Sequence, residues 1–221
     1  MTAPALPAHG LGRIGPNVLI QAARALEQRL GRERAGRILV DSTQHTLDTL
    51  PSGMVDEARA NALMRRLVDD HGIAFTRSVM HDAGTRTGDY LLAHRIPRAA
   101  RLLLPLLPTN AALRLLLNAI GRHTWTFAGS AHVRITPGNP AIIAISRCPL
   151  CAGILSDAHL CDFYTGTFTR LARVLLGPTA FAEEVACEST GDSACRFLIG
   201  TRGQRMVDPV AKSYIVTRRS R

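Results

Sequence analysis

All five cysteines of this 221-residue chain (Cys148, Cys151, Cys161, Cys187 and Cys195) fall within one 48-residue stretch of its C-terminal third. Met1 to Gly10 carries two prolines, no Lys or Arg and no apolar run, so no secretory leader is expected and a cytoplasmic location is. Thiols stay reduced in that compartment, and clustered cysteines there point to metal or redox chemistry before disulfides. Cys187 and Cys195 lie eight apart with Gly191 midway, so a hairpin turning at Gly191 sets their side chains opposite one another on one face. Glu184, three residues before Cys187, can reach the same corner, and Cys161 can supply a fourth donor. Three thiolates and one carboxylate in a closed tetrahedron suit Zn²⁺. Cys148-Pro149-Leu150-Cys151 offers another arrangement, in which both join Cys187 and Cys195 and Cys161 stays idle. As a C-x-x-C it could also be a redox pair, although no thioredoxin-like βαβ pattern surrounds it. Free cysteines also serve as small buried hydrophobes, but their concentration around one hairpin favours a metal.

Other reactive patterns are weaker. Gly10 to Gly15 matches G-x-G-x-x-G, which binds a dinucleotide only when a strand enters it and a helix leaves it. The nine residues ahead of it include Pro4 and Pro7 and cannot form a buried central strand, so the match is read as accidental. No Walker A motif is present. If four of the thiol and carboxylate groups hold zinc, too few cysteines remain for a four-cysteine iron–sulfur cluster.

The elements that must position these groups change character along the chain. Residues 13–121 read as helical. A stripe from Val18 to Leu30 follows Pro16 and stops at Gly31, and a short helix is expected over Glu33 to Val40. Two further helices, Val55 to His71 and Ile73 to His94, are separated by Gly72, and Gly84 and Gly88 allow a close neighbour. Residues 122–200 read as sheet with one long helix. Trp125 to Thr136 alternates loosely, Pro137 to Pro140 turns, Ala141 to Ser146 suits a buried strand, and Cys161 to Leu176 suits a helix ended by Gly177-Pro178. Thr179 to Glu188 and Ser193 to Ile199 are the strands of the last hairpin. The predicted fold class is therefore α+β: a helical N-terminal half packed on a mainly antiparallel sheet that carries a long helix. Residues 1–12 are expected to be a flexible segment and 201–221 a basic tail.

Bulk composition excludes some function classes. The formal net charge is +10, but Lys212 is the only lysine, which argues against a nucleic-acid groove mixing Lys and Arg. Six cations and one acid lie in the last twenty residues, so about half of the excess charge sits on a solvated tail. The greasiest stretch, Leu102 to Ile120, is broken by Pro105, Pro108, Asn110, Arg114 and Asn118 and cannot span a bilayer.

The run Cys161, Gly166, Gly177, Glu184, Cys187, Gly191-Asp192, Cys195 and Phe197 resembles the 4-vinyl reductase domain family. Its phenol-sensing regulators hold a structural zinc with a C–x22–E–x2–C–x7–C pattern, met here by Cys161, Glu184, Cys187 and Cys195. The resemblance ranks that set first and leaves Cys148 and Cys151 outside the pattern. Upstream, Arg13-Ile14-Gly15-Pro16-Asn17, the stretch Thr87 to Pro97 and Trp125-Thr126-Phe127-Ala128-Gly129 extend it to the family's bacteriochlorophyll-biosynthesis members. A fold similar to the TRAPP vesicle-tethering subunits is implied. So is a magnesium tetrapyrrole ligand, a divinyl protochlorophyllide or chlorophyllide whose 8-vinyl (4-vinyl) group is reduced. Such a guest needs apolar walls, an arginine for its propionate and an axial ligand. Leu102 to Leu117, Trp125 and Phe127 are candidate walls, Arg95 and Arg122 candidate anion partners, and His94, His123 and His132 candidate axial groups. Each has an ordinary alternative, since aromatics on a strand face pack cores and histidines commonly sit on surfaces. Two roles follow: a carrier presenting pigment to a bacteriochlorophyll-pathway enzyme, or the reductase itself, which would need a bound reductant. A homodimer, with at most peripheral contact with the photosynthetic membrane, completes the expectation.

Overall fold

The computed structural model of the protein describes residues 12–201. The expected N-terminal segment and basic tail lie outside these, apart from Gly12 and Thr201. Helix α1 (Asn17–Leu30) begins directly after Pro16, whose fixed φ suits the start of a helix, and Gly31 stops it at φ 78°. Helix α2 (Arg32–Thr43) runs three residues beyond expectation and closes with Gln44 in the left-handed region. The next two expected helices are one long element, α3 (Glu57–His94), broken at Gly72, where φ 77° and ψ 172° are not helical. Its first turn is capped by Asp56, whose carboxylate accepts the Ala58 N–H at 2.8 Å.

Val55 and Asp56 are not helical. They form strand β2 (Val55–Asp56), which pairs antiparallel with β1 (Arg13–Ile14), a contact no local pattern announces. Beside it, the buried Glu57 carboxylate accepts the Ser130 N–H at 2.8 Å and the Ser130 hydroxyl. A Cβ at Gly129 would lie 1.9 Å from Glu57 Oε2, so only glycine fits there. The Gly15 N–H donates to the Thr126 carbonyl at 2.6 Å, joining two sequence motifs 111 residues apart.

That junction explains one correction. The stretch from Trp125 does not start a strand: Thr124–Thr126 forms a 3-10 turn, and the strand β3 (His132–Thr136) begins only after Gly129 has turned the chain at φ 56°. Trp125 and Phe127 therefore share no strand face. Trp125 is 59% exposed, whereas Phe127 meets Tyr164 and Phe168 edge-on at 5.9 Å.

Strand β4 (Ala141–Ser146) occupies its expected span with strict buried and half-buried alternation. Helix α6 (Asp162–Leu176), β5 (Ala180–Ala186) and β6 (Cys195–Thr201) follow, and the antiparallel sheet has the order β3-β4-β6-β5. Ile143 pairs with Phe197 and Ala182 with Ile199, so one face of the sheet is continuous apolar surface. Phe168, Leu171, Ala172 and Leu175 of α6 are buried in the same core cluster as that face. The leucine-rich region folds as α4 (Arg98–Leu103), a 3-10 turn (Leu104–Leu106) and α5 (Thr109–Arg122), broken at its prolines. No helix among the described residues is long and apolar enough to cross a membrane.

Helix α6 also packs on α3, and there the backbones nearly touch. A Cβ on Gly84 would sit 2.1 Å from the Phe163 carbonyl oxygen, and one on Gly166 would sit 2.3 Å from that of His81. The Thr167 hydroxyl donates to the Gly84 carbonyl at 3.0 Å across the same contact. The expected use of Gly84 for close helix approach is thus met by α6. Gly84→Ala should force these helices apart at a cost of about 1–3 kcal/mol, a drop of roughly 3–10 °C in melting temperature. Gly53→Ala, with nothing within 4 Å, should leave the melt unchanged. Thermal denaturation by circular dichroism checks both.

Candidate metal centre

Pairing of β4 with β6 builds the centre. Ile145 lies opposite Cys195, and Arg147, at φ 58°, turns the chain so that Cys148 to Cys151 folds back over the start of β6. That loop is held from outside: the Glu188 carboxylate accepts the N–H groups of Arg147 and Cys148 at 2.6 and 2.8 Å. Asn61 and Arg65 of α3 donate to the Ala152 carbonyl at 3.1 and 2.7 Å. Cys161 immediately precedes α6, and Cys187 follows the end of β5. The Cys187 N–H donates to Asp192 at 3.1 Å across the turn at Gly191, which is left-handed at φ 93°. Asn61, Arg65 and Glu188 had no sequence signal, because their partners are backbone groups distant in the chain.

The five thiols are free and buried, and their sulfurs converge. Cys148 Sγ lies 3.5 Å from Cys161 Sγ, Cys151 Sγ 3.4 Å from Cys195 Sγ, and Cys161 Sγ 3.6 Å from Cys195 Sγ. Cys187 Sγ lies 3.9 and 3.7 Å from Cys161 and Cys195. These separations are far above a disulfide bond of about 2.05 Å. They match the edge of roughly 3.8 Å of a thiolate tetrahedron with metal–sulfur distances of about 2.3 Å.

Two four-donor groups result, each with its ligand atoms within 4.8 Å of one another: Cys161, Glu184, Cys187 and Cys195, and Cys148, Cys151, Cys161 and Cys195. The second differs from the four-cysteine arrangement anticipated from the C-x-x-C, because it takes in Cys161 and omits Cys187. Glu184 accepts the Cys161 N–H through Oε2 at 3.0 Å, while its buried Oε1 has no hydrogen-bond partner. An orphaned buried carboxylate oxygen among thiols is costly unless a cation meets it. The residues therefore fit a divalent, thiophilic ion.

Electrostatics agree. Burial, together with the charge of Cys187, pushes the Glu184 carboxyl up to about 10. Hydrogen bonds from the Cys151 and Cys161 thiols pull Cys187 down to about 5. Burial opposes ionisation of Cys148, yet hydrogen bonds from Cys151, Cys161, Cys195 and the Leu150 amide hold it well below an ordinary thiol. A pocket that ionises sulfur while protonating its carboxylate lacks positive charge, which a bound cation would supply.

The residues considered for a planar guest are not gathered in this way. His94 ends α3 and stacks on Tyr90 at 4.7 Å. Arg95, Arg122, His123 and His132 are exposed, and His132 Nε2 lies 2.9 Å from Arg147. A depression of about 920 Å³ lies elsewhere, between α1, α3 and α6, and is lined by charged groups including Arg29, Arg77, Asp82 and Asp162. Within G-x-G-x-x-G, strand β1 occupies the motif itself, and Gly10 and Leu11 lie outside the described residues.

The 4-vinyl reductase domain family matches residues 141–201. A bacteriochlorophyll synthase 23 kDa chain of Cereibacter sphaeroides is 38% identical over 192 residues, covering 87% of this chain and 92% of that protein. One from Rhodobacter capsulatus is 33% identical over 202 residues, covering 89% and 91%. Among solved structures, an unliganded Fe(II) H-NOX protein from K. algicida is similar in fold, with a TM-score of 0.55 at 9% identity over 87% of this chain and 98% of that one. Trafficking protein particle complex subunit 3 from Naegleria fowleri gives 0.45 at 12% identity, over 66% of this chain and 92% of that one.

Metal binding must displace the proton that Glu184 keeps at neutral pH when no cation is present. A carboxyl raised to about 10 releases that proton more readily as pH rises, so zinc affinity should increase with pH. From Glu184 alone the gain is about tenfold per pH unit between roughly pH 6 and 8. Glu184→Gln should flatten the rise by that amount. Competition against a chromophoric chelator reads both, and a pH-independent affinity would contradict the assignment.

Proposed function

This chain belongs to the bacteriochlorophyll synthase 23 kDa chain family and carries its 4-vinyl reductase domain, and we propose that it is a carrier of a divinyl magnesium tetrapyrrole in bacteriochlorophyll synthesis. It would bind protochlorophyllide or chlorophyllide, keep the pigment soluble and present it to the pathway enzyme that saturates the 8-vinyl group. A structural Zn²⁺ at the thiol cluster would tie the last hairpin to α6 and so keep the fold that displays the pigment.

The observation that carries this reading is the surface spanning α4, the turn after it and α5. Leu102, Leu103, Leu106, Leu107 and Leu115 are exposed there, Leu106 by 79%. Solvent-facing leucines at this density mark a binding surface. The sequence from Tyr90 to Ser156 contains seven arginines and neither Asp nor Glu. Arg95, Arg98, Arg114 and Arg122 within it are exposed. A chlorophyllide presents a broad apolar ring and an anionic propionate, and this surface offers the complement of each. His94 and His123 are both exposed, with a ring nitrogen to offer the central magnesium. Trp125 adds an exposed aromatic face next to α5, whereas Phe127 packs against the core.

The reading supports an open docking face rather than a deep channel. A surface-held guest can be transferred by direct contact with an enzyme, without a gate in the carrier.

Titration of the purified protein with divinyl protochlorophyllide should give saturable shifts of the Soret and Q bands. Leu103→Asp with Leu106→Asp should weaken binding roughly tenfold to a hundredfold, from about 1.5–3 kcal/mol per leucine face lost, while far-ultraviolet circular dichroism stays unchanged. Unchanged spectra at micromolar pigment would remove the proposal. Sedimentation with anionic vesicles in place of pigment binding would reassign the same face to a membrane. Conversion of divinyl to monovinyl pigment by this chain alone with NADPH would make it the reductase.

A further inference from the structure

The two donor groups at the thiol cluster are not alternatives of equal standing with one left over. They share one edge. Cys161 and Cys195, 3.6 Å apart, belong to both, and the remaining donors divide cleanly, Cys148 and Cys151 on one side and Glu184 and Cys187 on the other. Two tetrahedra joined along an edge have this composition: two bridging ligands and two terminal ligands for each centre. Resting on the metal reading of this site, we propose that the cluster holds two divalent thiophilic cations of the Zn²⁺ class. One would be bound by Cys148 and Cys151, the other by Glu184 and Cys187, with the thiolates of Cys161 and Cys195 bridging them.

Each half carries its own sign of being a ligand set. On the first side, the Cys148–Cys151 loop is built as a metal knuckle. Its sulfurs converge on the shared pair at 3.5 and 3.4 Å, the Leu150 amide hydrogen-bonds the Cys148 sulfur, and Glu188, Asn61 and Arg65 fix the loop from outside. Cysteines serving only as core filler need no such amide directed at sulfur. On the second side, Glu184 Oε1 is buried and unpartnered, and Cys187 lies within 3.9 Å of both shared sulfurs. A single ion in the four-cysteine group leaves Glu184 Oε1 unmet. A single ion in the other group leaves the Cys148–Cys151 knuckle without a guest.

Charge balance points the same way. Five thiolates and a carboxylate bring six negative charges, and two divalent ions reduce the total to −2, the value of an ordinary single zinc held by four thiolates. One ion among six ionised donors would leave −4 buried, so the outlying donors would have to retain protons. Loading is a proton exchange only: each thiol or carboxyl that joins an ion releases its proton to solvent, and no oxidation or reduction is involved.

The test is metal stoichiometry of the full-length protein, purified from zinc-supplemented medium and washed with a weak chelator. Metal would be read by inductively coupled plasma mass spectrometry and native mass spectrometry. Two zinc ions per chain are expected. The paired substitutions Cys148→Ser with Cys151→Ser, or Glu184→Gln with Cys187→Ser, should each retain one. Cadmium-113 substitution of the unaltered protein should give two resonances, both in the thiolate range, coupled through shared sulfurs, and this readout does not depend on a variant folding. One ion per chain, or two resonances without coupling, would overturn the two-ion cluster while leaving a single metal site standing. Retention of both ions by the Cys148→Ser, Cys151→Ser protein would place the second elsewhere and likewise overturn it. A chain with no bound metal would defeat this proposal and the metal reading beneath it together.

Discussion

Five thiols and a carboxylate cannot be packed together inside a protein unless something positive is placed among them. That constraint organises the C-terminal half of this chain. Four segments end at the cluster: the loop after β4, the entry to α6, the end of β5 and the start of β6. Each would otherwise be a chain end free to fray. Their convergence means that cation binding is coupled to closure of the sheet edge and docking of α6, since the donors come from elements up to 47 residues apart. Burial of the Glu184 carboxyl without a partner for Oε1 would be a defect in a metal-free protein and is an ordinary ligand in a loaded one.

Helix α6 transmits that anchoring to the rest of the molecule. One side lies on the sheet through Phe168, Leu171 and Leu175, and the other meets α3 at glycine-to-backbone distances. Close approach lets the Thr167 hydroxyl reach the Gly84 carbonyl, so the contact is specified by hydrogen bonding as well as by shape. Tyr164 extends the link: its hydroxyl donates to the Phe127 carbonyl at 2.9 Å, and its ring meets Phe197 of β6 at 5.6 Å. The cluster, α6 and the Trp125–Gly129 turn therefore behave as one connected body.

The leucine and arginine surface stands apart from that body in chemistry. It has no buried charge and no hydrogen-bond network to hold its exposed leucines, yet it retains several in a region without acidic residues. Two copies of such a face would repel through their arginines, whereas an amphipathic anion satisfies both of its characters. The division of labour is physical: the C-terminal part supplies rigidity by metal ligation, and the α4–α5 region supplies an unfilled apolar surface.

Much of this was legible in the sequence because the signals are local. The span of β4, the stop of α1 at Gly31, the break at Gly72 and the turn at Gly191 each depend on a few neighbouring side chains and on backbone rules that hold in any context. The spacing of Cys187 and Cys195 about Gly191 likewise fixed them as neighbours. Tertiary structure alone decided the rest. Cys148 and Cys151 reach the shared sulfurs because β4 pairs with β6, some fifty residues away. Trp125 faces solvent and Phe127 the core because Gly15 binds the Thr126 carbonyl, and the Glu57 niche closes on Gly129 and Ser130, far downstream in the chain. Periodicity reports what a residue's neighbours make of it, but a ligand set is made by chain crossings, whose distances no single segment encodes.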